Sequence, residues 1–89
     1  MTITRIKGER RTIRFKLDSR KFGVFVISNA MWTLYDKRKN IVETGECVIE
    51  DKEITANVEF EDSGIYMLEV TAQVRDDILK KREYIEVLC

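Results

Sequence analysis

Histidine and proline are absent from this 89-residue chain, and it holds only two cysteines and four glycines. Without histidine there is no Ser-His-Asp or Cys-His nucleophile, no His-ligated zinc and no imidazole acid-base chemistry. Without proline, turns must come from Gly, Asn, Asp, Ser and Lys. Cys47 and Cys89 are too few for a disulfide framework or a four-ligand structural zinc site. A Cys47–Cys89 bridge is open by arithmetic, but such sparse cysteine favours two free thiols in a chain made in a reducing compartment. No run approaches the ~20 apolar residues of a membrane span. Met1 to Arg14 has no apolar core of the kind a secretory signal carries. The expectation is therefore cytoplasmic synthesis with no membrane partner. The length suits one domain, residues 1–89, with a real core and no deep substrate cavity.

What is present leans to β-structure. Isoleucine and valine outnumber alanine and leucine by 18 to 8, and with threonine and the aromatics they make 33 residues that fit a pleated surface better than a helix. Alternation agrees. Ile13, Phe15 and Leu17 fall on one face of a strand, and Arg10, Thr12, Arg14 and Lys16 on the other. Ile54, Ala56, Val58 and Phe60 alternate with Glu53, Thr55, Asn57 and Glu59; Tyr66, Leu68, Val70, Ala72 and Val74 share a face; Ile85 and Val87 flank Glu86. Strand-like runs also occupy Thr2–Ile6, Val24–Ser28, Ala30–Asp36 and Ile41–Ile49. Ile78–Glu83 has some helical character but fits better as the start of the last strand. Turn residues separate the runs at Asp18–Lys21, Asp36–Asn40, Glu50–Lys52, Glu61–Gly64 and Asp76–Asp77. About seven to nine short strands in one small domain predict an antiparallel sandwich or a small barrel.

Asp62-Ser63-Gly64-Ile65-Tyr66, followed by alternating apolar residues, resembles the tyrosine corner before strand F of immunoglobulin-like domains. Trp32, 34 residues upstream, resembles their strand-C tryptophan. The resemblance covers roughly residues 8 to 88 and implies an all-β, immunoglobulin-like antiparallel sandwich. It implies a buried Tyr66 whose hydroxyl meets backbone near Asp62, and Trp32 packed between the sheets near Leu68. Leu68 stands where the core cysteine of extracellular members would be, so the inter-sheet disulfide is missing and Phe15 or Leu17 should face Leu68 from strand B. In this the chain looks more like the disulfide-free modules of phage and prophage structural proteins. Ile6-Lys7-Gly8-Glu9 and Thr12-Ile13-Arg14-Phe15, with the Trp-x-Leu and Gly-Ile-Tyr strands, are similar to N-terminal modules of phage baseplate and tail proteins. That resemblance implies a virion assembly component; the alternative is a bacterial adhesion or carbohydrate-binding module.

No catalytic, cofactor or metal residues stand out, and an enzyme is not expected. The carboxylate pairs Glu50-Asp51, Glu61-Asp62 and Asp76-Asp77 lack calcium-loop spacing and suit solvated turns. Lys37-Arg38-Lys39 suits a solvated loop tip, with phosphate or an acidic partner as the sharper reading. The zero net charge conceals +6 in residues 1–21 and −6 in residues 22–89. Arg10, Arg14 and Lys16 form a basic face that either pairs with Glu53 and Glu59 across neighbouring strands or meets an acidic face of a second copy. Nucleic acid is disfavoured because exposed aromatics are not interleaved with these cations. Burying Trp32 and Tyr66 turns Met31, Tyr35, Ile65 and Met67 outward with Thr33 and Thr71, and Tyr84 should join them from the adjacent strand. The expected partners are other protein subunits or a second copy in a homo-oligomer, bound on Met31, Tyr35, Ile65, Met67 and Tyr84.

Overall fold

The alternating runs become strands with the expected faces inward. The computed structural model describes residues 2–4, 10–16, 27–50, 53–60, 62–74 and 76–88. Strand β2 (Arg10–Lys16) lies antiparallel to β6 (Glu53–Glu59), with Arg10 opposite Glu59 and Lys16 opposite Glu53. Ile13 and Phe15 are buried opposite Ala56 and Ile54. Strand β5 (Val48–Glu50) pairs antiparallel with β6, with Glu50 opposite Glu53. The second sheet holds β1 (Thr2–Thr4), β8 (Asp77–Leu88), β7 (Gly64–Val74), β3 (Ile27–Tyr35) and β4 (Ile41–Glu46), in that spatial order. Every pairing is antiparallel except β1 on β8, which is parallel.

The molecule is thus an all-β sandwich with eight strand segments among the described residues. Its two sheets run in the orders β2-β6-β5 and β1-β8-β7-β3-β4. The segment Ile78–Glu83 lies within β8, as the sequence predicts. The turn at Asp18–Lys21, the residues Leu17, Asp51, Lys52, Glu61 and Cys89, and most of Val24–Ser28 lie outside the described residues.

Both inner faces supply the core. Ala30, Trp32 and Leu34 from β3, and Tyr66, Leu68, Val70, Ala72 and Val74 from β7, are buried together with the apolar set of β6. Trp32 stands opposite Val70, and Leu68 is one inward step along, opposite Leu34. Among the described residues no charged side chain is buried. The buried phenol of Tyr66 donates from its hydroxyl to the Asp62 carbonyl oxygen at 2.9 Å, which satisfies the polar end of an otherwise apolar side chain. Phe60 meets the same ring edge-on, centroids 5.2 Å apart. Gly64 makes the corner with φ of +146°, a conformation that L side chains rarely adopt.

The run Ile41–Ile49 divides between two sheets. It forms β4 in one, β5 in the other, and crosses at Cys47, whose N–H donates to the Ala30 carbonyl at 3.0 Å. Gly45, opposite Trp32 in the ladder, precedes the crossing. A β-carbon built on Gly45 would lie 2.7–2.8 Å from the indole atoms Cζ2, Cε2 and Nε1. Arg10 ties the sheets together at the same side. Its guanidinium donates to Asn57 Oδ1 at 3.0 Å and to the Asn57 carbonyl at 2.7 Å, and it reaches Glu43 of β4 at 2.7 Å.

Two substitutions probe this contact. Trp32→Ala should cost about 3–5 kcal/mol by leaving a cavity. Gly45→Ala should cost about 1–3 kcal/mol by overpacking against the indole. In the double variant the new methyl occupies space the indole has vacated, so the two costs should fall short of adding. Urea denaturation of all four proteins measures the coupling, and strict additivity would contradict the contact.

Candidate functional site

The outer face of the five-stranded sheet carries an apolar row that crosses four strands. Tyr35 of β3 lies opposite Met67 of β7, Met67 opposite Tyr84 of β8, and Tyr35 also opposite Ile41 of β4. Ile41 and Tyr84 at the two ends are 63% and 66% exposed, while Tyr35 and Met67 between them are half-buried. Ile65, 50% exposed, lies two residues before Met67 on the same face of β7. Pleat geometry dictates the arrangement: turning Trp32, Leu34, Tyr66 and Leu68 inward leaves their alternates outward.

Four of the five predicted side chains therefore meet: Tyr35, Ile65, Met67 and Tyr84. The fifth, Met31, is outward and exposed but stands four residues from Tyr35 along β3, roughly 14 Å at the usual strand rise. Between them runs the row Thr33–Glu69–Arg82, where Arg82 Nε donates to Glu69 Oε2 at 2.8 Å. That hydrogen bond, with the Glu69 charge, raises the Arg82 pKa above its ordinary value and keeps the row ionic. Met31 lines a different hollow of about 360 Å³, together with Ile78 and with Asn29, Thr33, Thr44, Thr71 and Gln73. Ile41 was not among the expected residues. A register shift between Leu34 and Tyr35 brings it opposite Tyr35, and strand alternation carries no signal for such a bulge.

A groove of about 250 Å³ opens over the aromatic row, lined by Tyr35, Ile65, Met67 and Tyr84 and by Asp36, Lys37 and Lys39 of the β3–β4 turn. The turn is rigidly organised. Asp36 Oδ1 accepts from the main-chain N–H groups of Arg38 at 2.8 Å and Asn40 at 2.9 Å, and Oδ2 accepts from Asn40 Nδ2 at 3.3 Å. Lys39 N–H closes onto the Asp36 carbonyl at 3.0 Å, which holds Lys39 at φ 66°. The main-chain bond from Asn40, foremost, holds the Asp36 carboxyl below its ordinary value near 3.8. Its contribution is complete above that value and is lost as the pH falls through the lowered one.

The basic strand is differently placed. Arg10 meets Glu43 at 2.7 Å and Glu59 at 3.4 Å, and Arg14 meets Glu53 at 3.6 Å. These exposed pairs contribute roughly 0.2–1 kcal/mol each. Lys16 stands opposite Glu53, and its carbonyl accepts from Lys81 Nζ at 3.2 Å. Two of the three cations of the basic face thus sit against carboxylates of their own chain.

Among the described residues no three of Cys, Asp and Glu converge as a metal-ligand set. Comparison of the chain with protein-family models, with curated proteins and with solved structures finds no match in any of the three.

Cys47 carries a free thiol, half-buried against the core beside the sheet crossing. Burial pushes its pKa up to about 11, which leaves roughly one thiol in a thousand ionised at pH 8. Iodoacetamide at pH 8 should therefore modify Cys47 roughly 100-fold more slowly in the native protein than in urea, with the native rate climbing as the pH approaches 11. Peptide mass mapping, which reports Cys47 separately from Cys89, measures both rates; equal rates would mean the thiol is not desolvated.

Proposed function

We propose that this chain is a non-catalytic protein-binding module whose working surface is the outer face of β3, β7 and β8. The observation that carries the proposal is the continuous row Ile41–Tyr35–Met67–Tyr84, with Ile65 beside it. Tyrosine and methionine are enriched at protein interfaces, and here they sit together in a chain that is 36% charged. Scattered surface apolars would not align in one register row bounded by an ion pair. The resemblance to disulfide-free phage modules supports a partner among the subunits of a tail or baseplate assembly. The free Cys47 thiol supports synthesis in a reducing compartment followed by assembly into the particle.

The test replaces Ile65 and Tyr84 by threonine. Both are exposed and threonine suits a strand, so stability should change by less than about 1 kcal/mol. Sedimentation and binding to purified products of the neighbouring genes should show association in the parent. The double variant should bind at least roughly tenfold more weakly, which corresponds to 1.4 kcal/mol. Met31→Thr, beyond the Glu69–Arg82 row, should leave binding unchanged. A parent that stays monomeric at millimolar concentration and ignores every such subunit would overturn the proposal.

A further inference from the structure

The aromatic groove carries an excess of positive charge at the β3–β4 turn. Lys37 and Lys39 both line it, both are exposed, and neither has an ion-pair partner among the described residues. The one acid in the lining, Asp36, is turned into its own loop by three hydrogen bonds, and its single charge leaves the two lysines in excess. The same loop holds the Lys39 backbone in the left-handed region. The groove is therefore apolar along its floor and cationic at the β3–β4 turn.

Size limits the occupant. Four strands at ~4.8 Å spacing and two rows of side chains give an apolar patch of roughly 200–300 Å², against the ~800 Å² per partner that a stable globular interface needs. A second folded copy resting on this patch alone would not be held.

We infer that the groove takes an extended segment of a partner protein in which acidic residues adjoin a large apolar side chain. The apolar group seats between Tyr35 and Tyr84 over Met67, and the carboxylates face Lys37 and Lys39. This rests on the reading of the face as a protein-binding surface and adds the chemistry of what binds.

The experiment titrates the ¹⁵N-labelled full chain with three capped tetrapeptides, EEFL, QQFL and KKFL, at low and high salt. The EEFL peptide should shift the amides of Tyr35, Lys37, Lys39, Met67 and Tyr84. It should bind roughly 2- to 30-fold more tightly than QQFL at low salt, the range two exposed ion pairs supply. That preference should collapse at high salt, where screening shortens to ~3 Å. The variant Lys37→Gln with Lys39→Asn keeps a residue that tolerates the left-handed conformation. It should bind EEFL and QQFL alike and retain the wild-type affinity for QQFL. Equal binding of EEFL and QQFL to the parent, or preference for KKFL, overturns the acidic segment while leaving the binding face standing. Concentration-dependent shifts of the same amides without peptide would make a second copy the occupant and overturn it too. If no peptide perturbs the groove and the Ile65→Thr, Tyr84→Thr variant behaves as the parent, the face itself is wrong.

Discussion

The indole of Trp32 occupies the space where a side chain on β4 would begin, and much of the sandwich follows from that one steric fact. Residue 45 must be glycine for β4 to run beside β3 at ladder distance. Two residues later the chain leaves the sheet, held at the crossing by the Cys47 N–H on the Ala30 carbonyl. It then supplies β5 to the opposite sheet. The tryptophan thus fills the core and also marks where one sheet ends and the other gains its third strand. Arg10 reinforces the same side from outside, bonding β6 and reaching Glu43 of β4.

The proposed binding face is the reverse side of that core. Leu34 and Leu68 are fully buried, which obliges Tyr35 and Met67 to face solvent. Nothing in core packing requires those outward residues to be aromatic or sulfur-bearing, or requires Ile41 and Tyr84 to extend the row at both ends. The Glu69–Arg82 pair separates this end of the face from the hollow around Met31 and Ile78, dividing the outer surface of the sheet in two.

Most of the core was legible in the sequence because strand periodicity is a local property. Ile54 through Phe60 and Tyr66 through Val74 alternate without interruption, and the Tyr66 corner has its own short pattern, down to the Asp62 carbonyl. The sheet crossing was not legible. Glu43, Gly45, Cys47 and Ile49 are all partly buried while their neighbours are exposed, so the alternation passes through Cys47 unchanged although the strand changes sheets. Parity tells which side a residue faces, not which strand lies next to it. The same limit hid Ile41, brought into the row by a bulge, and Glu43, whose partner Arg10 lies 33 residues away in the other sheet. It also grouped Met31 with residues from which register and an ion pair divide it.

The parallel pairing of β1 with β8 gives the domain a mechanical character. Thr2, Ile3 and Thr4 run beside Glu86, Val87 and Leu88 in the same direction. The chain therefore enters β1 at one end of this ribbon and leaves β8 at the other. Tension applied along the backbone would slide the two strands past each other and load their hydrogen bonds together, in shear. An antiparallel terminal pair would instead peel open one bond at a time. A short strand of three residues thereby resists stretching in a way that its length alone would not suggest.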